Sequence, residues 1–168
     1  MGSTHVYLRD EEPDEDPFAV PGFWMRDEML ELWLRLLALH VGDPDPNDEA
    51  KAALTRRVRD QWLLASRGCF GGLVPHGLPE AVATEAGGAI VHDAVMSLNR
   101  ALEQVDRLPS EMLKLMGLRD WSFDGPRWRD GIDAERLRDI GRAFRDLLDG
   151  KIVGANHDCA FMPGEQAG

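Results

Sequence analysis

The stretch from Phe23 to Val41 constrains this chain more than any other. Met25, Met29, Leu32, Trp33 and Leu36 recur at helical spacing, and Leu30, Leu34 and Leu37 widen the stripe until little but Glu28, Glu31 and Arg35 stays polar. A helix this apolar has to be enclosed by other elements, so the spacing predicts a central helix over residues 23 to 41. Gly42-Asp43-Pro44-Asp45-Pro46-Asn47 ends it, because proline cannot continue a helix and restricts the residue before it. Asn47 or Asp48 is then placed to cap a second helix running to Ser66. There Leu54, Val58 and Trp62 form one line while Lys51, Arg56, Arg57, Arg59 and Arg67 point largely elsewhere.

Helical periodicity continues to residue 150. Pro79 to Ala83 reads as one turn, and Thr84 caps a long helix with Val91, Val95, Leu98, Leu102 and Val105 on one face. Pro109 opens a short helix ended by Gly117. A last helix over 133 to 149 buries Leu137, Ile140, Phe144, Leu147 and Leu148, with Gly150 after its end. Strand candidates are confined to His5-Val6-Tyr7-Leu8 and Lys151-Ile152-Val153, which are able to pair with each other. The expectation is an all-α fold: an irregular bundle of four main helices plus one or two short ones. Residues 1–22 form a mobile acidic arm, 23–150 the helical domain and 151–168 an irregular tail.

The chain has 168 residues, enough to bury a core without a metal or disulfide, so no cofactor is expected. Cys69 and Cys159 lie far apart and outside any C-x-x-C pattern, which points to two reduced thiols in a cytoplasm. There is no apolar run of membrane-spanning length and no basic-then-apolar start of a signal peptide. Thirty acidic residues against nineteen basic ones leave a formal charge of −11. Such a field repels phosphate backbones and favours basic partners, which argues against broad nucleic-acid binding.

Several clusters carry residue types that chemistry needs. The loop from Gly68 to Leu78 holds Cys69 and His76, a thiol and an imidazole, among four glycines. It lacks an orienting third residue, and free cysteine is usually a small buried hydrophobe, so a packed loop is the simpler reading. It also lacks the lysine of a phosphate-binding loop. His157-Asp158-Cys159 and His92-Asp93 are too short for the spacing that metal sites require, so no metal is expected. His40 reads as a boundary histidine, and Glu28 and Glu31 as a solvated helix face.

Two features suit recognition of another protein. Asp10, Glu11, Glu12, Asp14, Glu15 and Asp16 stand against Arg9 alone, a cluster that steers a molecule onto a basic surface. Trp121, Phe123, Arg127 and Trp128 are of the types that anchor interfaces, although a lid folded onto the bundle explains them too. The expected function is a non-enzymatic acidic helical protein that binds a basic protein partner, as an inhibitor or immunity-type protein does. The alternatives are a small thiol-dependent enzyme using Cys69 and His76, and a homo-oligomeric module, a homodimer for instance, built on Trp24, Leu30, Leu34 and Val41.

Overall fold

The computed structural model describes residues 2–9, 16, 20–68, 73–116 and 130–161, the last seven through their backbone alone. The chain is largely helical, and it is not purely α. Strand β1 (Ser3–Tyr7) runs antiparallel to β2 (Gly22–Arg26), with Ser3 opposite Arg26 and Tyr7 opposite Gly22. Helix α1 (Asp27–His40) follows at once, then α2 (Glu49–Ala65), the single turn α3 (Leu78–Val82) and α4 (Glu85–Leu102). The two-residue strand β3 (Arg107–Leu108) precedes α5 (Ser110–Leu115) and pairs with β4 (Ile132–Asp133). Helix α6 (Ala134–Leu148) and strand β5 (Ala155–Phe161) complete the described chain, β5 lying parallel to β2.

The sheet order β1-β2-β5 corrects three expectations. The helix expected from residue 23 begins at Asp27, because Phe23 and Met25 are buried as strand residues. The early strand exists, but its neighbour is β2 and not residues 151–153, which lie outside any strand. The segment expected to be an irregular tail contains β5, with a register irregularity between Phe23 and Met25 of its partner. Apolar alternation over five residues fits a strand or one helical turn equally well, and pairing across more than 130 residues decided between them.

Helix α1 sits at the centre. Leu30, Leu32, Trp33, Leu34 and Leu37 are fully buried, and Leu39 is its one exposed large apolar residue. Leu30, Leu34 and Val41 are thus consumed inside the chain. Glu28 and Glu31, expected on a solvated face, are 8% and 7% exposed. Asp27 and Glu28 occupy the first turn, where the partial positive charge of the helix end stabilises carboxylates. About two turns further, Arg35 fastens α1 to two other elements. Its guanidinium donates to Ser66 Oγ at 3.0 Å, to Ser66 O at 3.2 Å and to Met116 O at 2.8 Å. Burial pulls the Arg35 pKa below its ordinary value, Arg67 adds to that and Glu31 opposes it.

Caps stand where the sequence placed them. The Asp48 carboxylate accepts from Lys51 N at 3.0 Å, and Thr84 Oγ1 from Gly87 N at 3.1 Å. Phe144 of α6 meets Phe23 and Trp33 with ring centroids 5.3 and 5.5 Å away, joining sheet, central helix and last helix. The β3–β4 pair is held by Arg107, which donates to Asp133 Oδ1 at 2.7 Å and to Asp130 O at 3.0 Å. It brings together the two ends of the segment from 109 to 131. Trp121, Phe123, Arg127 and Trp128, within that segment, lie outside the described residues.

Two outcomes follow from this packing. At Gly87 a Cβ would overlap the backbone carbonyl of Ala81, which cannot turn aside as a side chain can. Gly87→Ala therefore destabilises the protein by about 1–3 kcal/mol despite alanine's better helix propensity, measurable as a lower urea midpoint. At the other end of α1, His40 Nδ1 lies 3.0 Å from Ser97 Oγ, and burial lowers the His40 pKa below 6.5. The unfolded chain takes up this proton first, so His40 favours the fold above about pH 6.5 and opposes it as the pH falls. Melting temperatures of His40→Gln are expected to drop less between pH 7 and 5 than those of the unaltered protein.

Candidate functional site

The alternation of β1 places Thr4 and Val6 in the interior and leaves Ser3, His5 and Tyr7 partly exposed along the strand. On α2, Leu54, Arg57, Val58, Gln61 and Trp62 follow i, i+3, i+4, i+7, i+8 spacing and so share one face. Between these two elements runs residues 73–77, which lead into α3. Together they enclose an open cleft of about 530 Å³, within the range of ligand sites in general.

Each wall is fixed by hydrogen bonds that reach far along the chain. Thr4 Oγ1 donates to Asp27 Oδ1 at 2.7 Å and accepts from Val74 N at 2.9 Å. One buried hydroxyl thus ties the edge strand, the start of α1 and the loop. His76 is buried and engages backbone through both ring nitrogens. Leu78 N can only donate, so Nδ1, 3.2 Å away, is its acceptor, and Nε2 carries the proton that it donates to His5 O at 3.1 Å. From α2, Trp62 Nε1 donates to His76 O at 3.1 Å and Gln61 Nε2 to Pro75 O at 2.9 Å. Gly77, at φ +62°, provides the left-handed turn into α3; a side chain there would be strained and would press on Gln61 Cγ.

The rings are arranged as firmly. His5 stacks on Trp24 at 5.2 Å, and Tyr7 stands edge-on to His76 at 5.0 Å. At the mouth Leu73 is 74% exposed, and Arg57 and Glu80 are exposed on different walls. The cleft is open to solvent, and Thr4, Gln61, Trp62 and His76 are held in place by partners within its walls.

Of the residues singled out from the sequence, His76 is in this cleft, in a wall-forming role. Cys69, its expected companion, lies outside the described residues, as do Glu11, Glu12, Asp14 and Glu15, while Asp16 is described and exposed. His157, Asp158 and Cys159 fall in β5, where the backbone alone is described. His92 and Asp93 approach to 3.7 Å on the exposed face of α4. No group of three or more potential ligands converges on a metal position among the described residues. No described helix is long and apolar enough to cross a membrane. Sequence reasoning missed Thr4, His5, Tyr7 and Glu80 as members of a site. The one signal it held was the Leu54, Val58, Trp62 line, which reads equally as ordinary core.

No family model, curated protein or solved structure matches this chain.

The Thr4 hydroxyl is the junction of the cleft. Thr4→Val keeps the shape and leaves Val74 N–H without its acceptor, so unfolding free energy is expected to fall by about 1–3 kcal/mol in urea titrations. An unchanged midpoint would mean that the loop is held by other contacts.

Proposed function

We propose that this chain is a non-enzymatic acidic binding protein that recognises a basic protein partner, in the manner of an inhibitor or immunity-type protein. The observation that carries the reading is the cleft itself. Its walls are braced by hydrogen bonds between strand, loop and helix, so a partner meets a recess that needs little ordering on binding. An exposed leucine stands at the lip of that recess. The net charge of −11 supplies the second element, attraction at long range. Asp43, Asp48 and Glu49 are exposed around the start of α2, the helix that supplies one wall of the cleft. Glu49 is about 8 Å of helix rise from Leu54, at 1.5 Å per residue.

In this reading charge and recess act at different stages. Carboxylates, including Glu11, Glu12, Asp14, Glu15 and Asp16, accelerate encounter, and the cleft holds what has arrived. Trp121, Phe123, Arg127 and Trp128 would widen the contact. The test begins with a partner captured on the full chain and identified, then measured directly by surface plasmon resonance. Reversing the five carboxylates from Glu11 to Asp16 is expected to slow association by at least about tenfold at low salt and to flatten its salt dependence. Leu73→Ser is expected to speed dissociation with little effect on association. A partner of acidic isoelectric point, or rates that ignore both changes, would sink the proposal.

A further inference from the structure

The polar groups of the cleft are unequally committed. Thr4, Gln61, Trp62 and His76 spend their hydrogen bonds on the walls. Arg57 on α2 and Glu80 on α3 line the same cleft and have no hydrogen bond or ion pair among the described residues. Their neighbours behave differently: Arg56 pairs with Glu49 at 2.7 Å, and Arg59 donates to Val41 O and Gly42 O at 3.0 and 2.8 Å. Arg57 and Glu80 do not pair with each other among the described residues. The wall beside them is apolar, with Leu54, Val58 and Val74.

From this arrangement we infer that the cleft takes an apolar peptide segment flanked by one acidic and one basic side chain. The inference rests on the cleft being the recess of a binding protein and adds what enters it. A carboxylate of the segment meets the guanidinium of Arg57, whose fork accepts both oxygens at once. A cationic side chain meets Glu80. The apolar residues between them cover Leu54 and Val58, and a volume of about 530 Å³ suits a few residues and not a whole helix. A purely basic segment is disfavoured despite the chain's overall charge, because it brings a like charge against Arg57 inside a partly desolvated cleft. The global field therefore selects a basic protein, and the cleft selects the one stretch of it that carries an acid as well. The opposed charges also fix direction, since turning the segment round puts both like pairs in contact.

The test uses labelled, end-capped hexapeptides and fluorescence anisotropy with the full chain at 0.15 M salt, where charges beyond about 8 Å are screened. The probes are Gly-Asp-Leu-Phe-Lys-Gly, its isomer Gly-Lys-Leu-Phe-Asp-Gly, and versions with two Lys, two Asp or two Gln at the flanking positions. One order of the mixed-charge pair is expected to bind at least about fivefold tighter than the two-Gln peptide, as exposed ion pairs allow. Arg57→Glu should shift preference to the two-Lys peptide and Glu80→Lys to the two-Asp peptide, and the double exchange R57E/E80R should prefer the opposite mixed order. Both positions are exposed, so the variants are expected to fold. Binding that is blind to flanking charge would overturn this inference and leave the recess standing. Failure of every peptide, the two-Gln one included, would remove the recess as well.

Discussion

Burial of nearly all of α1, Leu39 excepted, is the constraint from which the rest of this structure follows. Its apolar residues leave no stripe that water could cover, and each large aliphatic side chain contributes roughly 1.5–3 kcal/mol only once it is enclosed. Helices α2 and α4 cover two sides of it, and the sheet of β1, β2 and β5 lies at its N-terminal end. Because β2 runs straight into α1, the strand and the helix share one continuous core through Phe23, Met25 and Met29. The acidic first turn of α1 is drawn inside with it. Asp27 meets this with a hydroxyl from β1, that of Thr4, which also lines the cleft.

Thr4 and His76 show how a stability requirement becomes a surface with shape. A buried carboxylate needs a donor, and Thr4 is that donor; its remaining lone pair then orients the loop through Val74 N. His76 repeats the pattern with two nitrogens, one receiving from the start of α3 and the other giving to β1. Trp62 and Gln61 fasten the loop from the side of α2. Five polar groups thus hold three elements apart at a fixed spacing, and the space between them is the cleft. Arg57 and Glu80 line the same cleft outside that network.

Much of the helical part was legible beforehand. The caps Asp48 and Thr84, the stop after His40 and the core face of Leu137, Ile140, Phe144 and Leu147 all depend on neighbours within a turn or two, and local chemistry is what a sequence displays. The site was legible in fragments. His76 stood out for its chemistry, and both its ring nitrogens hydrogen-bond to backbone, whereas Thr4 read as part of the arm and His5 and Tyr7 only as part of a short strand candidate. Nothing near them in the chain announces that Asp27, His76 and α2 will lie alongside.

The sequence by itself determined the central helix, the four long helices and the sign of the molecule's field, because periodicity, capping and net charge are properties of short stretches or of simple sums. Tertiary structure alone decided that Gly22–Arg26 is a strand, that Glu28 and Glu31 are inside, and that β1, α2 and α3 face one another across a cleft. Those outcomes turn on contacts between residues 14 to more than 130 positions apart. Closing such loops is repaid only by the joint burial of the whole core, and no local stretch of the chain carries that quantity.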